Sequence, residues 1–106
     1  MNKKQITLII HPEIKETLKK ETAETWLTRE IPKYQPKLKT PPIPYQKKIT
    51  YKPNITLKTL DQLQKIPGDT YTTKITNLYY NTKTRQQKTK QRKKILKELF
   101  PNNTYN

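Results

Sequence analysis

Lys4-Gln5-Ile6-Thr7-Leu8-Ile9-Ile10 sets Ile6, Leu8 and Ile10 on alternate positions with polar Gln5 and Thr7 between them. That is the period of a β-strand with one buried face, and it predicts a strand over about 4–10. His11-Pro12-Glu13 follows. Proline suits a first helical position, and Glu13 and Glu16 sit near the positive end of the helix dipole, so a helix is expected from there. His11 reads as its cap. Ile10, Ile14 and Leu18, then Trp26, Leu27 and Ile31, recur at helical spacing, which extends one helix to about Arg29 and ends it ahead of Pro32.

Residues 3–27, a strand running into a helix, resemble the opening of a ribbon-helix-helix repressor. The resemblance stops there, because no glycine turn follows and Pro32 falls where a second helix is required. No internal repeat is legible.

Beyond Ile31 the composition changes. Residues 32–58 hold six prolines, six of the chain's lysines before Lys58, and no acid. Such a segment cannot be helical and is expected to be extended or polyproline-like. Lys48-Ile49-Thr50-Tyr51 and Ile55-Thr56-Leu57 carry β-forming residues suited to a short strand or two pairing with the first strand, with Pro53 confining the first of them to an edge. Thr59 suits an N-cap for a short helix bearing Leu60, Leu63 and Ile66, and Pro67-Gly68-Asp69 breaks it. A long helix is then expected from Thr70 to Phe100, ended by Pro101. Its centre, 82–94, has no apolar residue and must therefore be solvated or pressed against charge.

The fold class expected is α+β. It comprises an N-terminal strand-helix unit over 1–31, a basic Pro-rich extended segment with short strands over 32–58, and a short helix, turn and long basic helix over 59–106. These make one small domain in all.

The chain has 106 residues, a formal charge of +15, 30% hydrophobic residues and no cysteine; neither serine nor valine occurs. Disulfides and serine or cysteine nucleophiles are excluded. The run Ile6 to Ile10 is too short for a signal or membrane segment, so an intracellular setting (cytoplasm, nucleus or organelle) without membrane association is expected. Lys, Thr, Asn, Ile, Pro, Gln and Tyr dominate, as from a coding strand rich in A and C and poor in G. That bias points to a virus, a mobile element or an organelle, and it supplies part of the lysine content by itself.

Charge is uneven. Residues 1–30 have six bases and five acids, 31–58 seven bases and no acid, 59–106 ten bases and three acids. The run Arg85-Gln86-Gln87-Lys88-Thr89-Lys90-Gln91-Arg92-Lys93-Lys94 has six bases in ten residues. On a helix it projects cations toward a phosphate track. Several such contacts release enough counterions for affinity on the order of micromolar without sequence preference. The nucleic-acid contacts expected are Lys83, Arg85, Lys88, Lys90, Arg92, Lys93 and Lys94 on the helix, with Lys37, Lys39, Lys47, Lys48 and Lys52 of the middle segment clamping the backbone. Tyr34, Tyr45 and Tyr51 are candidates for base stacking. Arginine is scarce, which favours phosphate contacts over guanine readout. Leu60 to Leu78 also suggests a loose helix-turn-helix that would present Thr70, Tyr71, Thr73, Lys74 and Asn77.

For catalysis the inventory is one histidine, two aspartates and six glutamates, five of them between Glu13 and Glu30. The glutamates lie beside lysines as exposed pairs would, no cluster has metal-ligand spacing, and no cofactor or enzymatic activity is expected. The function expected is non-catalytic nucleic-acid binding, as a DNA-binding accessory or regulator. The alternatives are a ribosome-type RNA-binding protein and an interaction protein gripping an acidic partner protein.

Overall fold

The computed structural model describes the backbone of residues 2–99 and the side chains of residues 2–88. The class is α+β. Its elements are β1 (Lys3–Gln5), β2 (Leu8–Ile10), α1 (Pro12–Glu21), α2 (Ala23–Glu30), β3 (Ile49–Tyr51), β4 (Asn54–Thr56), α3 (Leu57–Leu63) and α4 (Tyr71–Leu99), with a 3-10 turn at Ile31–Lys33 after α2.

β1 pairs antiparallel with β4 and β2 with β3, and one register runs through both pairings: Lys3 opposite Thr56, Gln5 opposite Asn54, Leu8 opposite Tyr51, Ile10 opposite Ile49. The two pairings are therefore one two-stranded ribbon, interrupted at its middle. Ile6 N–H donates to Pro53 O at 3.1 Å, but proline has no N–H to return, and the ladder lapses there. The single strand expected over 4–10 is thus present as two pieces. Ile6, Leu8, Ile10, Pro53 and Ile55 are buried on one ribbon face.

The single helix expected over residues 12–29 is broken. Thr22 adopts φ 87°, and its hydroxyl accepts the Thr25 N–H at 3.2 Å as the N-cap of α2. The second helix thus fits between Thr22 and Pro32. Thr56, rather than Thr59, caps α3 in the same manner, because the helix begins three residues earlier than its apolar spacing suggested. Thr70 accepts the Thr73 N–H at the start of α4. His11 occupies the N-cap position of α1 but makes no side-chain cap.

The chain therefore follows strand–helix–helix twice, and the two strands face each other. Pro12 and Leu57 open equivalent helices, and Ile10 corresponds to Ile55, Leu18 to Leu63, and Leu27 of α2 to Ile75 of α4. The boundary expected at residue 58 falls inside the second unit. All six of these equivalent apolar residues are at most 1% exposed, and they meet in one core with Ile14, Trp26, Leu60, Ile66 and Leu78. Such burial is the main stabilising term, at roughly 25 cal/mol per Å² of apolar surface.

Residues 34–48 cross α4 without regular structure apart from a turn, closed by Leu38 N–H on Gln35 O, at 3.2 Å. Asn81 of α4 grips this arm through its amide, donating to Gln35 O at 2.8 Å and accepting Gln35 N–H at 3.2 Å. α4 is about 44 Å long at 1.5 Å per residue. Asn81, Thr82 and Thr84 are buried, whereas Gln86, Gln87 and Lys88 are all exposed. Three consecutive helical residues point in three directions, so the helix has left the domain by that point.

Candidate nucleic-acid interface

Alternation that buries one ribbon face exposes the other. Gln5 lies opposite Asn54 and Ile9 opposite Thr50, and the same register sets Thr7 opposite Lys52. All six residues are exposed. Among the described residues none of their side chains makes a hydrogen bond within the protein, and none of the six is acidic. Lys3 extends the face at one end.

Helix ends flank both edges. The Thr72 hydroxyl, in the first turn of α4, accepts Ile9 N–H at 3.2 Å from the free edge of β2. Across the ribbon, Glu24 in the first turn of α2 accepts Thr56 N–H at 3.1 Å from the edge of β4, together with the hydroxyls of Thr56 and Thr59 at 2.6 and 2.7 Å. Burial alone would raise the Glu24 pKa. The Thr56 and Thr59 hydrogen bonds and the charge of Lys3 outweigh that and lower it.

Beside the Ile10–Ile49 end of the ribbon, the arm and α4 enclose a groove of about 700 Å³, walled by His11, residues 43–48, Thr72, Thr73, Thr76 and Asn77. Lys47 and Lys48 stand exposed on its rim, and Tyr45 is 96% exposed. Two of its lining residues, His11 and Gln46, belong to a network around Glu13. That carboxylate accepts Tyr79 and Tyr80 hydroxyls at 3.0 Å each, Gln46 Nε2 at 2.9 Å and Lys83 Nζ at 3.2 Å. The Tyr80 proton is committed to Glu13, so the Tyr80 oxygen accepts from His11 Nδ1–H at 2.9 Å, which fixes the imidazole tautomer. Burial first, then the Glu13 hydrogen bond and charge, push Tyr80 up to about 12. On Glu13 burial raises the pKa but its four donors outweigh that and lower it.

The structure divides the sequence candidates. Lys37 and Lys39 are exposed on the arm, Lys47 and Lys48 on the groove and Lys52 at the ribbon centre. Lys88 is exposed on α4. Lys83 is engaged with Glu13 and lies 6.0 Å from the Tyr80 ring. Arg85 is committed to the fold. Its side chain is 14% exposed, 3.9 Å from Glu30, with Nε on Asn81 at 3.0 Å and a terminal nitrogen on Thr82 at 2.8 Å. The charge against which this part of α4 presses is thus the chain's own Glu30. Lys90, Arg92, Lys93 and Lys94 belong to the α4 backbone, but their side chains lie outside the described residues, as does the helix end at Phe100. Tyr45 stands clear of the fold. Tyr34 and Tyr51 are half-buried against the core, with Lys15 Nζ 5.8 Å from the Tyr51 ring.

The glutamates expected to be exposed pairs are in three cases tie points: Glu13, Glu24 and Glu30. The helix-turn-helix expectation also changes. Lys74 Nζ donates to Ile66 O and Asn77 Nδ2 to Pro67 O, both at 2.8 Å, and Tyr71 packs on the core. These side chains close the turn between α3 and α4. A Cβ on Gly68, at φ 140°, would come within 2.9 Å of Lys74 N and of a Thr73 methyl, so only glycine fits there.

Sequence reasoning missed Gln5, Thr7, Ile9, Thr50 and Asn54. Their one signal was position: each alternates with a core residue in a strand. No helix among the described residues is long and apolar enough to cross a membrane. No family model matches the chain, and comparison with curated proteins and with solved structures found no match.

Proposed function

We propose that this protein is a non-catalytic duplex-DNA-binding protein that inserts the exposed face of its two-stranded ribbon into the major groove and grips the flanking phosphates with lysines. The observation that carries this is the acid-free face formed by Gln5, Thr7, Ile9, Thr50, Lys52 and Asn54, which commits none of its side chains to the fold. The B-DNA major groove, about 12 Å wide, admits a two-stranded ribbon. Asn and Gln amides match the adenine edge, Lys the guanine edge, and Ile and Thr methyls the thymine methyl. Lys47, Lys48 and Lys88, with the basic remainder of α4, supply the salt-sensitive phosphate term. A-form RNA buries its major groove too deeply for such a ribbon, which favours DNA over the ribosome-type alternative. His11 and Glu13, the residues closest to acid–base chemistry, are spent on the Tyr80 network.

The test is titration of the intact chain with mixed-sequence duplex DNA, an RNA hairpin and single-stranded DNA at low and moderate salt. Duplex DNA should bind tightest. Lys52→Glu, at an exposed position, should weaken binding by about tenfold or more while leaving the thermal melt unchanged. Equal affinity for the RNA hairpin, or an indifferent Lys52→Glu variant, rejects the proposal.

A further inference from the structure

The ribbon contains both of its strands in one chain, and its register has an internal two-fold whose centre is the Thr7–Lys52 pair. Around that centre each edge meets the first turn of a helix: α2 lies on β4 through Glu24 and Thr56, and α4 lies on β2 through Thr72 and Ile9. Two-fold DNA-binding proteins made of two copies present identical residues to two half-sites, so their sites are palindromic. Here the path is two-fold and the side chains are not. The internal two-fold relates Gln5 to Thr50, Thr7 to Lys52 and Ile9 to Asn54, and no related pair presents the same functional group.

We infer that one copy of this chain reads one asymmetric duplex site. This rests on the proposed duplex binding and specifies its site. At one end of the ribbon the Gln5–Asn54 pair presents two amides, which select adenine by paired donor and acceptor groups. At the other end Ile9 and Thr50 present methyl groups, which select thymine and reject the amino-bearing cytosine edge. The flanks are as unequal as the ends. The Ile9–Thr50 end opens onto the groove rimmed by Lys47 and Lys48, whereas at the Gln5–Asn54 end the charge of Lys3 is offset by the neighbouring Glu24 carboxylate. Backbone grip is therefore stronger beyond the Ile9–Thr50 end, and protection of the DNA extends further there.

The experiment selects bound duplexes from a random-sequence pool with the full chain and measures the mass of the complex on the selected duplex. A motif without dyad symmetry and one chain per duplex are expected. Gln5→Ala with Asn54→Ala should erase preference at one end of that motif, by about 5- to 150-fold, and leave the other end intact. Both substitutions are on the exposed face, and an unchanged melt verifies the fold. A palindromic motif, two chains per duplex, or a preference lost equally at both ends overturns the inference while leaving duplex binding standing, as does tight binding with no motif. Absence of any duplex binding instead defeats the proposed function beneath it.

Discussion

Residues 3–30 and residues 49–99 follow the same strand–helix–helix path but use charge in opposite ways. The first unit holds Glu13, Glu24 and Glu30, and each receives groups from the second: Glu13 takes Tyr79, Tyr80 and Lys83, Glu24 takes Thr56 and Thr59, and Glu30 faces Arg85. The second unit has Asp61 and Asp69 among its described residues, both exposed. The near-neutral first unit is thus the receptor onto which the basic second unit docks. What the docking leaves exposed, chiefly Lys52 and Lys88, joins Lys47 and Lys48 of the preceding arm as the cationic surface on which the proposed DNA binding rests. Charge asymmetry along this sequence records intramolecular assembly before it records binding.

The equivalence of the two units is broken or sharpened first by truncating matched core positions. Leu18 and Leu63 are fully buried at corresponding places, so Leu18→Ala and Leu63→Ala should each destabilise the fold by about 2–5 kcal/mol, read by urea denaturation. A large loss at one and none at the other would mean that only one unit supports the core.

The second comparison concerns the acids. Glu24→Ala strands Thr56 N–H and two hydroxyls, at about 1–3 kcal/mol, whereas Glu16→Ala at an exposed position should stay within about 0.5 kcal/mol. Glu13 and Glu24 both have folded pKa values lowered from 4.5. Their contribution is therefore complete above the unfolded value and is lost as pH falls through the folded ones. Melting temperature should be level from pH 7 to 5 and fall below about 4.5, less steeply for Glu13→Gln. A melt that is flat to pH 3 would show that these carboxylates do not couple the units.

The smallest effect separates two neighbours on α4. Arg85→Gln removes the guanidinium facing buried Glu30 and should cost about 1–3 kcal/mol of stability. Lys88→Gln should leave stability within about 0.5 kcal/mol and reduce the salt slope of DNA binding by about one unit. Equal behaviour of the two would erase the distinction between docking bases and free bases.

Alternation around Ile6, Leu8 and Ile10 was enough to place the first strand, and the prolines of the middle segment were enough to exclude helix there. The break at Thr22 was not legible, because a non-glycine residue at positive φ has no local signature; α2 packing and the Thr22 cap on Thr25 N–H hold it there. The internal repeat was hidden because the units share a path and a pattern of burial, while their surface residues differ at nearly every equivalent position. Of the candidate interface, Lys47, Lys48 and Lys52 were visible as charge. Gln5, Thr7, Thr50 and Asn54 were not, since neutral polar residues in a strand look like any solvated face until pairing shows which of them stand together.

The sequence by itself determined the class of elements, the start of the last helix and the cationic surplus, because periodicity, proline and charge are local properties. Only the tertiary structure decided which bases remain free and which polar residues share one ribbon face. Those outcomes depend on contacts between residues far apart in the chain, such as Glu13 with Lys83 or Gln5 opposite Asn54, and no local pattern encodes them.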